Sequence, residues 1–71
     1  MTVTVYMKPG CPYSRALVRF LRRKKRIVTE INVLENKFQL DKMVRLAEGH
    51  PWTPVWIEEN GTVNVGFHGQ H

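Results

Sequence analysis

The chain is short of cysteine and of acid. Among 71 residues it has one cysteine, Cys11, and 6 Asp and Glu against 11 Lys and Arg. A single thiol excludes an intrachain disulfide, and it makes a reducing compartment, the cytoplasm, the expected setting. Long apolar runs are missing as well. Nothing approaches the ~20 residues needed to cross a bilayer, and no charged leader precedes an apolar stretch. Neither a signal peptide nor a membrane partner is expected. Repeats, linkers and low-complexity tracts are absent, which leaves one small domain over residues 1–71. At this size folding hides only about 60% of the unfolded surface, so the core has little margin. With 42% hydrophobic and 24% charged residues, the composition is that of a folded globule.

The net charge is +5, and Arg22, Arg23, Lys24, Lys25 and Arg26 form one unbroken basic block. Nucleic acid and acidic membranes are the partners such a block raises. Cations also suit a helix C-terminus, where the backbone dipole is negative. No basic-aromatic alternation extends the block into a stacking surface. It therefore reads as a solvated helix end, with no nucleic acid expected.

Thr2 to Met7 alternates β-branched and apolar residues as a strand does. Lys8-Pro9-Gly10 breaks it, and Pro12 fits the first position of a helix. Tyr13, Ala16, Leu17, Phe20 and Leu21 form an apolar stripe, with Arg15, Arg19, Arg22, Arg23 and Arg26 opposite. The helix is predicted to reach about Lys25. A strand over Ile27 to Val33 follows. Then comes a helix capped by Asn36, with Gln39 completing a capping box and Leu40, Met43, Val44 and Ala47 facing inward. Gly49 suits its left-handed stop. Strands at Pro54 to Glu58 and Thr62 to Val65 flank the Asn60-Gly61 hairpin signal. The order β-α-β-α-β-β predicts an α/β domain. Its first two strands are parallel, a hairpin adds an antiparallel pair, and helices cover a four-stranded mixed sheet.

Cys11 falls at the N-cap of the first helix or beside it. The first backbone N–H groups and the helix dipole favour a thiolate there, and Lys8 is near enough to add its charge. Arg22 lies about 17 Å along the helix, beyond the ~8 Å screening length, so the basic block should scarcely move the thiol. The alternative is a small, buried, inert cysteine. Ser14 stands where a redox pair would have its second thiol. It is either a donor to the thiolate or an ordinary residue of the first turn.

The stretch "VYMKPGCPYSRALVRFL" resembles the active-site strand, loop and helix of glutaredoxins, and CPYS resembles their monothiol motif. "WTPVWIEENGTVNVGF" is similar to the family's second signature, a residue before a cis-proline that starts a strand, then a hairpin and a glycine. The resemblance implies a thioredoxin-like fold with Cys11 as the nucleophile. It implies that Lys8, Pro12, Tyr13 and Ser14 border the thiol and bound glutathione. It also implies a cis Thr53–Pro54 bond, with Thr53 offering its backbone to an extended peptide. The implied activity is thiol–disulfide exchange by a monothiol mechanism on glutathione-mixed disulfides. Glutathione is then the co-substrate, and glutathionylated or disulfide-containing proteins are the partners.

The sequence departs from that family at its end. Gly66-Phe67-His68-Gly69 stands where a Gly-Gly or Gly-x-Asp corner grips a glutathione carboxylate, and no residues follow for a third helix. An under-covered sheet face is the expected consequence, which invites a homodimer or another protein. Three further readings follow. One is a [2Fe–2S] cluster shared by two copies with glutathione as ligand. A second is a catalytically weak interaction module. The third is a reductant of ribonucleotide reductase, suggested by Val65-Gly66-Phe67 and opposed by Ser14. No metal is expected otherwise, because His50, His68 and His71 match no zinc spacing. Trp52 is expected either to line the substrate groove or to pack, Trp56 to pack within its strand, and Tyr6 and Phe67 to be structural.

Overall fold

The computed structural model describes residues 2–67. Strand β1 (Thr2–Met7) is central because both of its faces are apolar. Val3 and Val5 point to one side and Tyr6 to the other, as a strand's twofold alternation requires. β2 (Ile27–Asn32) runs parallel to β1, from Thr2↔Ile27 to Met7↔Asn32. β3 (Val55–Ile57) runs antiparallel on the other edge, from Thr4↔Ile57 to Tyr6↔Val55. β4 (Val63–Val65) pairs antiparallel with β3, so the sheet order is β2-β1-β3-β4. With α1 (Pro12–Arg23) and α2 (Lys37–Leu46) the chain follows the β-α-β-α-β-β order predicted from the sequence.

The two helices cover opposite faces. Leu17, Val18 and Leu21 of α1 pack on Val3 and Val5. Met43 of α2, with Ala47, packs on Tyr6, Val33 and Val55. Each fully buried side chain of this size contributes about 1.5–3 kcal/mol, so a core this small depends on every one. The inward stripe of α1 is rotated from the one predicted. It runs Ser14, Leu17, Val18, Leu21, whereas Tyr13 and Phe20 lie on the flank and are exposed. Both stripes have helical spacing, and β1 selects the one with compact aliphatic side chains.

Both helices end in Schellman motifs. In α1, Arg26 N–H donates to Leu21 O and Lys25 N–H to Arg22 O, with Lys25 left-handed at φ 60°. That stop, one turn before β2, is why the helix ends at Arg23 and not Lys25. In α2, Gly49 N–H donates to Val44 O and Glu48 N–H to Arg45 O. Glu48, directly after the cap, is left-handed at φ 58°, and Gly49, where the left-handed stop is expected, follows at φ 95°. At the start of α2, Asn36 Oδ1 accepts from Phe38 N–H at 2.9 Å and Gln39 N–H at 3.4 Å. No return bond from Gln39 is present among the described residues, so the cap is one-sided. The strands are shorter than predicted by one residue at an end for β2, β3 and β4, and by one more for β3.

The β3–β4 hairpin turns through three residues. Gly61 N–H donates to Glu58 O, Glu58 N–H to Thr62 O, and Gly61 alone is left-handed, at φ 91°. Asn60 is not, so its Asn-Gly pair makes a common turn followed by a glycine and not the mirror-image two-residue turn. Arg26 reaches across to Glu59 at 2.6 Å and ties this hairpin to the α1–β2 corner. After β4, Gly66 N–H donates to Pro54 O at 2.7 Å, and Trp56 Nε1–H donates to Gly66 O. Phe67 then packs on Phe20, rings 5.4 Å apart and tilted by 51°. Among the described residues no helix is long and apolar enough to cross a membrane.

Candidate active site

The sheet register creates the site. β3 begins opposite the end of β1, at Tyr6↔Val55. The residues just before β3 therefore lie beside the residues just after β1, although 42 positions separate Cys11 from Thr53. After β1 the chain turns at Gly10, whose φ of 83° few other residues would tolerate. Cys11 N–H closes that turn on Lys8 O at 3.2 Å. Cys11 is extended, at φ −77° and ψ 111°, and is the N-cap of α1, with Pro12 as the first helical residue. Pro12 has no N–H to satisfy and a φ already suited to a helix.

Cys11 makes no side-chain cap bond to its helix. Its sulfur, partly exposed, meets other donors instead. The Thr53 hydroxyl donates to Sγ at 3.4 Å, and the thiol in turn points to Thr53 O at 3.9 Å. Ser14 is fully buried, and its Oγ has no conventional hydrogen-bond partner among the described residues. Burial raises the pKa of the thiol, but the hydroxyls of Ser14 and Thr53 and the amides of Ser14 and Tyr13 outweigh it. The net effect is a thiol held below its ordinary value, with the thiolate favoured. Lys8, expected to act through its charge, is not among these influences. It serves the site through its carbonyl, which fixes the turn.

The Thr53–Pro54 peptide bond is cis, and both residues are buried. Tyr13, about a third exposed, and Pro12 stand on the rim beside Cys11. Hydrogen bonding and proximity thus unite Cys11, Ser14 and Thr53, with Lys8, Pro12, Tyr13 and Pro54 around them. Trp52 directly precedes Thr53. It stacks on His50, rings 4.1 Å apart and 4° from parallel, and lines a cavity with Leu46, Val63 and Val65. His68 and His71, considered as ligands, lie outside the described residues. Among the described residues no group of three or more His, Cys, Asp or Glu side chains could hold a metal.

The Thr53 hydroxyl was not anticipated, because sequence reasoning used only that residue's backbone. A hydroxyl-bearing residue next to a proline and before a strand gives no sign of facing a sulfur until the strand order is known. The burial of Ser14 did have a signal. Ser14, Leu17, Val18 and Leu21 are spaced as one helix face.

The glutaredoxin family model matches residues 3–56, which span β1 to the middle of β3. A search of curated proteins finds no match. Among solved structures, the crystal structure of a glutaredoxin (grx-1) from Archaeoglobus fulgidus is similar with a TM-score of 0.77. The likeness has 18% sequence identity over 93% of this chain and 75% of that one, and at that identity it speaks for the fold. The fold is thioredoxin-like, and the chain belongs to the glutaredoxin family of thiol–disulfide oxidoreductases.

Proposed function

We propose that the protein exchanges thiols and disulfides by a monothiol mechanism, with Cys11 as the nucleophile and glutathione-mixed disulfides as substrates. One observation carries this reading: a partly exposed sulfur at the N-cap of α1 that accepts from the Thr53 hydroxyl at 3.4 Å beside the buried Ser14, with its pKa lowered by these neighbours and the first helical amides. The thiolate attacks the glutathione sulfur of a mixed disulfide. The Cys11–glutathione bond forms, the target thiolate leaves, and it takes a proton from solvent. The thiolate of a second glutathione then attacks the glutathione sulfur on Cys11. Oxidised glutathione departs and the Cys11 thiolate returns. One glutathione thiol is consumed in each cycle: the mixed disulfide and that thiol become the target thiol and glutathione disulfide. The target sulfur is reduced, and Cys11 ends as it began.

Ser14 suits this cycle. A second thiol at its position would intercept the Cys11–glutathione intermediate, whereas a hydroxyl stabilises the attacking and departing sulfur without competing for it. Thr53 serves in two ways. Its hydroxyl holds Sγ, and its backbone beside the cis bond can pair with an extended peptide as a neighbouring strand would. Lys8 and Tyr13 border the place where glutathione binds. The test is glutathione-dependent reduction of the mixed disulfide of glutathione and 2-mercaptoethanol. The wild-type protein accelerates it, and Cys11→Ser reduces it to the uncatalysed rate. Full activity in Cys11→Ser would remove the mechanism.

A further inference from the structure

The cations of α1 fall into two groups. Arg22 pairs with Glu30 at 2.9 Å, and Arg26, just beyond the helix, pairs with Glu59. Arg15, Arg19 and Arg23 lie at i, i+4 and i+8, so they form one row along the helix. All three are exposed, and none forms an ion pair among the described residues. The helix contains no acidic residue to relieve the row. Like charges at this spacing oppose helix formation, so the row is a cost to the fold by itself.

Beside the row lies a groove of about 290 Å³, lined by Ala16, Arg19, Phe20, Arg23 and Phe67. The two phenylalanine rings in its lining lie 5.4 Å apart, and Lys24 Nζ stands 5.6 Å from the centre of the Phe20 ring. A lining that combines aromatic rings with guanidinium-bearing side chains suits an apolar side chain flanked by carboxylates, which Arg binds in planar, bidentate fashion. The row also starts at the thiol. Arg15 N–H donates to Cys11 O at 3.3 Å, and Arg23 lies about 18 Å further along the axis than Cys11. An extended peptide spans that length in roughly five or six residues.

We propose that this row and groove dock an acidic segment of a protein substrate, placed about three to six residues from the cysteine that Cys11 attacks, with an apolar side chain seated between Phe20 and Arg23. The proposal rests on the exchange reading for its choice of substrate, but it can fail separately. A peptide is favoured over nucleic acid for two reasons. The row leads to a sulfur whose chemistry needs a sulfur-bearing partner. The two rings are also tilted against each other and offer no flat platform on which successive bases could stack.

The test uses Cys11→Ser protein, which cannot exchange, and a fluorescein-labelled decapeptide of glutamates around a central phenylalanine. A control peptide has lysine in place of each glutamate, and an oligothymidine of matched charge serves as competitor. Fluorescence anisotropy should show the acidic peptide binding, more weakly as salt rises, with the lysine peptide not bound. Adding Arg19→Glu with Arg23→Glu should weaken binding about tenfold, and Arg19→Gln with Arg23→Gln by less. Both sites are exposed, and an unchanged far-ultraviolet circular dichroism spectrum verifies folding. In the Cys11 background neither pair should change turnover of the small mixed disulfide. Equal binding of both peptides, or binding unchanged by both pairs, overturns the docking surface and leaves the exchange reading intact. Tighter binding of the oligonucleotide overturns it in favour of nucleic acid. Selective peptide binding without any exchange activity upholds the surface and removes the exchange reading instead.

Discussion

The two helices of this small domain begin in the same backbone conformation and use it for different ends. Asn36 and Cys11 are both extended N-cap residues. Asn36 turns its side chain onto its own helix and satisfies the amides of Phe38 and Gln39. Cys11 makes no such bond, and the amides of Tyr13 and Ser14 act on its sulfur. At α2 the free amides of a helix start are used for stability. At α1 they are kept for a charge that appears when the thiol ionises. A cap residue matched to its helix fixes structure, and one left open provides chemistry.

Substitutions at the two caps should break this comparison in opposite ways. The largest effect is on activity: Cys11→Ser removes the nucleophile, and turnover of the mixed disulfide falls to background. Asn36→Ala should leave activity near wild type and cost about 1 kcal/mol of stability, read from chemical denaturation. Cys11→Asp supplies the acceptor that the first helix lacks. It should abolish exchange yet stabilise the fold by about 0.5–1 kcal/mol, because a carboxylate caps the helix and complements its dipole. The two helix ends offer a parallel test of smaller size. Lys25→Gly and Glu48→Gly each remove a side chain from a left-handed site and should each add about 0.5–1 kcal/mol.

The smallest expected effect is a pH dependence of stability. The folded thiol has a lowered pKa. Its contribution is therefore fully present above the pKa of the unfolded cysteine, about 8.5. It is lost as pH falls through the lower folded value. Wild-type protein should gain stability relative to Cys11→Ser as pH rises across that window, and denaturation at a series of pH values measures the gain.

Much of the fold was legible because its signals are local. The alternation of Thr2 to Met7, the proline at the start of α1 and the Asn36 cap each act within a few residues. The position of Cys11 at a helix start was legible for the same reason. What escaped depends on distant partners. Which of two apolar stripes of α1 turns inward is decided by Val3 and Val5, and that choice buries Ser14 and exposes Tyr13. The Thr53 hydroxyl meets the sulfur only because β3 lies beside β1. The left-handed residues Lys25 and Glu48 have no intrinsic preference for that conformation. The cap hydrogen bonds impose it on whatever residue follows the helix.

The pH dependence of Cys11 alkylation by iodoacetamide tests the central claim most directly, because only the thiolate reacts. The rate should rise to a plateau with a midpoint below that of a free cysteine peptide. The midpoint should move upward in Ser14→Ala, in Thr53→Val and furthest in the pair. A midpoint at the free-cysteine value, unmoved by removing both hydroxyls, would contradict the account.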